Sequence, residues 1–142
     1  MSTDPTRQMT ATARPFRAEA LGPTPYAHGV ELPATGRVVL LAGMSPVDRT
    51  GALQHPGDVA AQMERVVELT AETLAHVGGD LSSIVRARIY VASADRAELF
   101  AAWTAFTRVL AGYEFPSTLV GVTVLAYPDQ LVEVEFDALL PA

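Results

Sequence analysis

The length, composition and charge of the chain exclude several classes of protein. Its 142 residues are enough for one domain with its own core, and 49% of them are apolar, which argues against disorder. The apolar runs stay shorter than the roughly 18 residues of a membrane span. A net charge of −6, with ten Arg residues and no Lys, disfavours a nucleic-acid partner, whose phosphates bind clustered basic side chains.

Residues 1–13 predict a flexible leader, because they are polar, rich in Thr and without the apolar stretch of a signal peptide. The remainder, residues 14–142, shows no internal repeat or linker and predicts a single domain. The absence of Cys excludes disulfides and is compatible with the cytosol. We therefore expect a cytoplasmic protein that has no membrane association.

The first part of the domain predicts three strands. Short apolar runs bounded by Pro and Gly are typical of strands, and they cover residues 14–20, 26–32 and 37–43. The turn sequence Pro-Ala-Thr-Gly at residues 33–36 joins the last two, so we predict that they form a hairpin. Residues 44–57, rich in Pro, Gly and Asp, predict a loop.

Two helices follow from apolar residues that recur at helical spacing. Asp58 predicts the start of the first, which runs to about residue 77, where Gly78 and Gly79 end it. Asp95 with Glu98 three residues later resembles a capping box, and it predicts a second helix that continues to about residue 110.

Three more strands are predicted over residues 84–91, 118–125 and 131–139. The order is β-β-β-α-β-α-β-β, an α+β domain in which two helices cover one face of a roughly six-stranded sheet. The second face of the sheet then needs either solvent-tolerant residues or another subunit to cover it.

The last predicted strand carries three carboxylates on one face. Side chains alternate along a strand, so Glu133, Glu135 and Asp137 point away from the apolar residues between them. Neighbouring carboxylates of this set lie about 6–7 Å apart and repel one another unless water or a partner surrounds them. The row is either a solvated sheet face or the lining of a cleft, where a carboxyl could act as an acid or a base.

Other chemistry finds little support in the sequence. His28, His55 and His76 match no zinc spacing, so no metal is expected, and no cofactor is expected either. No Ser stands in a Gly-x-Ser-x-Gly setting, and no Gly-rich phosphate loop occurs. Trp103 and Phe106 are interpreted as core or interface residues.

Six segments stand in the order and spacing of one known family. They are residues 25–30 (Pro-Tyr-Ala-His-Gly-Val), 41–48 (Leu-Ala-Gly-Met-Ser-Pro-Val-Asp), the first predicted helix with its Gly-Gly end, the strand at 85–91, residues 117–122 (Ser-Thr-Leu-Val-Gly-Val) and 131–135 (Leu-Val-Glu-Val-Glu). Together they resemble the RidA (YjgF) family of small trimeric proteins over nearly everything after residue 20. The resemblance implies a chorismate-mutase-like fold that assembles as a homotrimer, with a central barrel of three sheets and a small-molecule cleft at each subunit boundary.

Active members of that family hydrolyse reactive imines or enamines to a carbonyl compound and ammonia. By resemblance, Glu133 matches the Glu that orients the attacking water, and Tyr26 matches a Tyr that lines the cleft. Gly43 matches a glycine whose backbone approaches the ligand.

The Arg with which the family holds the substrate carboxylate has no match. Its position falls at Ser117 in the best alignment, or at Thr118 if the gap moves by one. A hydroxyl cannot supply a charge-assisted pair to a carboxylate, so we do not expect a general imino-acid deaminase. Arg86 or Arg88, on a neighbouring strand, could replace the missing cation, but surface ion pairs are the role expected of them.

Two functions therefore remain open. The first is an enzyme that hydrolyses or tautomerises a small reactive imine, enamine or related intermediate, neutral or weakly polar, with Glu133 as general acid/base. The second is a non-catalytic trimer that binds a metabolite or a partner protein. Other chemistry on this scaffold, such as isomerisation of a cyclic acid, is disfavoured because the missing Arg weakens anion binding.

Overall fold

The computed structural model describes residues 12–142, so the leader predicted for residues 1–13 lies outside the described residues except for its last two positions. Eight main elements follow in the predicted order: β1 (Arg14–Phe16), β2 (Gly29–Glu31), β3 (Arg37–Leu40), α1 (Val59–His76), β4 (Ile84–Ala92), α2 (Arg96–Val109), β5 (Ser117–Val122) and β6 (Val132–Leu140). The predicted α+β class is confirmed.

The main sheet has four strands in the order β3-β6-β4-β5. Strand β6 pairs antiparallel with both β3 and β4, and β5 runs parallel to β4 after the crossover through α2. Both helices pack on the face that buries Val132, Val134 and Phe136 of β6. No helix among residues 12–142 combines the length and apolar character that crossing a bilayer would need.

The predicted hairpin between residues 26–32 and 37–43 is wrong. Strand β2 pairs with β1 instead, β3 pairs with the distant β6, and the six strands therefore divide into sheets of four and two. One physical reason why β2 pairs with β1 is the glycine at position 29, which lies opposite Phe16. A Cβ on Gly29 would stand 2.4 Å from Cζ of that ring, so only glycine lets β1 and β2 approach this closely.

The helix boundaries follow from the predicted caps, with one difference. The carboxylate of Asp58 accepts a hydrogen bond from the Ala61 N–H at 3.0 Å, and α1 ends before Gly78, whose φ of 84° suits glycine. Asp95 caps α2 through the Ala97 N–H at 2.9 Å. The capping box with Glu98 is not formed, because the Asp95 N–H donates to Ser93 Oγ instead.

The face of the sheet opposite the helices, here called the outer face, is lined by the alternate residues of each strand. On β6 every second residue from Glu133 to Leu139 is half-buried, while the residues between are buried. The edges of this face are apolar and exposed: Val38 and Leu40 on β3 are 58% and 73% exposed, and Val120 on β5 is 42% exposed. The outer face thus combines a polar centre with apolar margins.

Candidate functional site

A ladder of charged and polar side chains runs across the centre of the outer face. The register of β4 and β6 sets Tyr90 opposite Glu133, Arg88 opposite Glu135 and Arg86 opposite Asp137. The three carboxylates can lie side by side because each has a hydrogen-bond donor: Ser45 for Glu133, Tyr90 and Arg88 for Glu135, and Arg86 for Asp137. Arg88 adds an ion pair with Asp137 at 3.7 Å.

Glu133 is half-buried and is oriented through one of its two oxygens. Ser45 Oγ donates a hydrogen bond of 2.8 Å to Glu133 Oε1. Gln130 Nε2 donates a bond of 2.8 Å to the same Ser45 Oγ. Because an amide nitrogen can only donate, the hydroxyl must accept from Gln130 and give its own hydrogen to Glu133. This arrangement suits a carboxylate, which accepts only.

Gln130 is fixed in turn by its own bonds. It is 3% exposed, its Oε1 accepts from the Tyr127 N–H, and its Nε2 also donates to the Val132 carbonyl at 3.0 Å. The orientation of the amide group follows from these partners. The chain of bonds from Gln130 through Ser45 to Glu133 therefore holds the carboxylate in one position.

Gly43 brings the backbone of the segment after β3 against the other oxygen of Glu133. A Cβ on Gly43 would lie 2.6 Å from Glu133 Oε2, so any larger residue would push the carboxylate away. The close approach of Gly43 to Glu133 results from one extra residue in the segment after β3, relative to β6. Leu41 bonds to Phe136 and Met44 bridges Val134, so three steps of this segment match two steps of β6, the geometry of a bulge.

Tyr26, Ser117 and Thr118 lie apart from Glu133 in the fold. All three line a cavity of about 520 Å³ that Arg86 also lines, and Glu133 is not among its lining residues. The Tyr26 ring packs edge-on against Trp103, with ring centroids 6.2 Å apart. Phe106 is buried and Trp103 is half-buried. The structure thus brings Glu133 and Gly43 together and gathers the other three predicted residues around a separate cavity.

The two candidates for the position of the missing Arg point to opposite sides of the sheet. Ser117 lies opposite Ala87, which is buried under the helices, whereas Thr118 lies opposite Arg88 on the outer face. Only Thr118 therefore shares a face with Glu133, from which it lies two strands across and two residues along, roughly 12 Å away.

The pKa of Tyr90 is shifted by its neighbours on the outer face. Its hydroxyl donates a hydrogen bond to Glu135 Oε1. That bond, together with desolvation and the negative charge of nearby Glu135 and Glu133, raises the pKa of the Tyr90 phenol above its ordinary value of 10, against a smaller opposing effect of Arg88. The phenol therefore stays protonated and acts as a donor at neutral pH.

The residues described do not form a metal site. Within residues 12–142 no three His, Asp or Glu side chains are grouped so that they could hold an ion. His28 has another role: its Nδ1 accepts from the Ala18 N–H at 2.8 Å, and its Nε2 lies 2.7 Å from Thr24 Oγ1. His28 thus holds the segment before β2 in place.

Sequence reasoning missed Ser45 and Gln130. Residues 44–57, which contain Ser45, are predicted as a loop, and Gln130 follows a Pro-Asp turn without any pattern that marks it. These two residues lie 85 positions apart in the chain. The available signal for Ser45 is its place in segment 41–48, which carries the family resemblance, two positions after the glycine predicted to approach the ligand.

Fold and site together define a class: a small α+β domain that presents a polar, carboxylate-bearing sheet face with apolar margins. The chain belongs to the family described as Endoribonuclease L-PSP, whose model matches residues 17–140. The resemblance to the RidA (YjgF) proteins is thereby confirmed.

Solved structures and curated relatives agree with this membership. The Rid-family protein of unknown function YyfB from Yersinia pestis superposes with a TM-score of 0.81 at 28% identity, covering 91% of this chain and 99% of that one. The curated relative 3-aminoacrylate deaminase RutC of Acinetobacter baylyi is 29% identical over 115 residues, 79% of this chain and 86% of RutC. Protein DfrA of Myxococcus xanthus is 38% identical over 73 residues, 51% of this chain and 53% of that protein.

Proposed function

We propose that this protein hydrolyses, or tautomerises and then hydrolyses, a small reactive imine or enamine, with Glu133 as general acid/base. The proposal rests on the different surroundings of the two carboxylate oxygens of Glu133. Ser45 occupies Oε1, while Oε2 has no hydrogen-bond partner among residues 12–142 and lies over Gly43. One oxygen is thus held in place, and the other is available to accept a proton.

The chemistry that this arrangement can perform is short and needs no cofactor. Oε2 of Glu133 accepts a proton from a water molecule while the water oxygen bonds to the carbon of the protonated imine, and the C=N π pair moves to nitrogen to give a neutral carbinolamine. Glu133 gives that proton to the nitrogen and then accepts the hydroxyl proton as the C=O bond forms and the C–N bond breaks, so that a carbonyl compound and ammonia leave and the last proton passes to solvent. An enamine first takes a proton from solvent at carbon, which gives the same protonated imine. General acid–base catalysis of this kind contributes about 10²–10⁴ in rate.

A relative supports the reaction class. RutC is named as a deaminase of 3-aminoacrylate, which is an enamine, and it matches most of this chain. The family description mentions a ribonuclease, but a net charge of −6 and a chain without Lys oppose binding of RNA phosphates. We therefore place the proposal among imines and enamines.

We further propose that the site is completed in a homotrimer. Tyr26 and Thr118 lie around a cavity that Glu133 does not line, so one copy presents two incomplete halves. The apolar margins at Val38, Leu40 and Val120 are exposed and would be covered by other copies. In such an assembly the Glu133 half of one copy would face the Tyr26 half of its neighbour.

The test of catalysis is ammonia release from freshly generated imines and enamines, corrected for the rate in buffer. Glu133→Gln should lower kcat by roughly a hundredfold or more, because the amide cannot accept a proton. Glu72→Gln, an exposed residue of α1, is the matched control and should keep full activity. Unchanged turnover in the Glu133 variant would remove the proposed base.

The test of assembly uses the mass of the protein in solution. Leu40→Asp places a charge in the exposed margin of the outer face and should shift the protein from trimer to monomer. Phe100→Asp, at a residue 69% exposed on α2, should leave the mass unchanged. A wild-type protein that is monomeric at micromolar concentration would contradict this part of the proposal.

The alternative is a non-catalytic trimer that binds a metabolite or a partner protein at the same site. The observation that favours this alternative is that position 118, on the outer face, carries Thr and not a basic residue. Such a protein would be stabilised in a thermal-shift experiment by a ligand that it leaves chemically unchanged.

A further inference from the structure

The cations of the outer face are already paired. Arg86 Nη2 lies 2.9 Å from Asp137 Oδ2, and Arg86 Nε donates to the same oxygen at 3.0 Å. Arg88 reaches Glu135 Oε2 at 3.4 Å and Asp137 Oδ2 at 3.7 Å. The Asp137 side chain is only 14% exposed to solvent, and its carboxylate attracts both guanidinium groups toward β6. Neither arginine is left as an uncompensated charge.

Glu133 differs from the other two carboxylates of the ladder. Within residues 12–142, no Arg or His nitrogen lies within ion-pairing distance of it, and its hydrogen-bond donor is the neutral hydroxyl of Ser45. Two arginines therefore face three carboxylates, and the excess charge of −1 belongs to Glu133. On the far side of Arg88, strand β5 contributes the uncharged Thr118.

Such a face distinguishes ligands by charge. A carboxylate placed near Glu133 would be repelled at short range in a partly desolvated environment, and both arginines of this face already have carboxylate partners. A protonated imine carries its positive charge on the nitrogen next to the carbon that is attacked. That charge would be stabilised by Glu133 at the atom where the reaction occurs.

We propose that the Glu133 site selects imines and enamines that lack a carboxylate and binds them as the iminium cation. This inference rests on the function proposed above and specifies its substrate class. The reaction then balances as an iminium ion and water giving a carbonyl compound and an ammonium ion. Glu135 and Asp137 are specificity-determining residues, because they neutralise the two arginines that could otherwise bind an anion.

The test compares two enamines of nearly the same size and shape, 3-aminoacrylate and its neutral amide 3-aminoacrylamide, with the assembled wild-type protein. We expect kcat/KM for the amide to exceed that for the acid by at least tenfold, after subtraction of the rate in buffer. A preference for the acid overturns the selectivity while leaving the proposed function intact. Acceleration of neither compound overturns the proposed function and, with it, this inference.

A second experiment tests the cause of the selectivity. Glu135→Gln removes the charge that faces Arg88 but keeps an oxygen that can accept from Tyr90, so it should raise the kcat/KM ratio of acid to amide at least fivefold. Glu64→Gln is the matched control, since Glu64 pairs with Arg108 at 2.9 Å between the two helices, away from the sheet. An equal ratio in the wild type and both variants overturns the assignment of Glu135.

Discussion

The carboxylate of Glu133 occupies the place where Gly43 has no side chain: a Cβ built on Gly43 would lie 2.6 Å from Oε2 and 2.9 Å from Cδ. A side-chain Cβ practically never lies within 3.0 Å of a non-bonded heavy atom, so a residue with a Cβ at this position must displace the carboxylate. The end of a side chain can move at small cost in stability, but its position determines whether it can transfer a proton.

We therefore predict that Gly43→Ala lowers kcat at least tenfold and changes the melting temperature little. Gly121→Ala is the comparison, because its Cβ would lie 2.5 Å from the backbone oxygen of Ser93, which cannot move as easily. That variant should lose stability. Activity assays and thermal unfolding of both proteins check the contrast, and a Gly43 variant with normal kcat would contradict it.

Ser45 is predicted to act by positioning Glu133. Removing its hydroxyl in Ser45→Ala takes away a hydrogen bond to a charged group, which contributes about 1.5–3 kcal/mol. We expect kcat to fall by roughly tenfold or more with KM nearly unchanged. Ser45→Thr retains the hydroxyl and should recover most of the rate. If the Ala and Thr variants lose activity equally, the hydroxyl is not what matters.

Tyr90 provides a prediction about pH. Because its pKa is raised in the folded protein, the contribution of its bond to Glu135 is present below pH 10, the ordinary value, and is lost as the pH rises through the higher folded value. An absorbance titration of the protein should show a tyrosine step above pH 10 that belongs to Tyr90. That step should vanish in Tyr90→Phe and move to lower pH in Glu135→Gln, where the stronger acceptor is gone.

The buried Gln62 is predicted to stabilise the segment that leads into β6. Its amide group donates to the carbonyls of His55 and Asp129 at 3.1 Å and accepts from the Leu131 N–H at 2.8 Å. Gln62→Leu leaves these three backbone groups without their partner. We expect the free energy of unfolding to fall by about 2–4 kcal/mol.

Thr70→Val is the control for this experiment. Thr70 is equally buried on the same helix, but its hydroxyl donates only to the Val66 carbonyl of that helix, which also takes part in the regular helical bonding. We expect a loss below about 1 kcal/mol. Urea unfolding measures both variants, and a Gln62 variant no less stable than the Thr70 variant would refute the assigned role.

The sequence was informative where structure is local. The alternation along β6 and the helical spacing before His76 report directly which side chains are buried, so the class, the element order and the face of Glu133 could be predicted. The partner of β2 could not be predicted, because a short connection favours a hairpin while the fit of Phe16 against Gly29 depends on a separate segment. For the same reason the contact between Ser45 and Glu133, 88 positions apart, left no pattern in the chain.

Strand β6 occupies the place between β3 and β4, although it follows both of them in the chain. During synthesis on the ribosome, β3 and β4 therefore emerge with nothing to join them, and the apolar side of α1 has no complete sheet to pack against. A nascent chain that stalls before residue 132 would expose its future core to chaperones and proteases. Quality control in the cell should accordingly distinguish full-length from interrupted chains with little ambiguity.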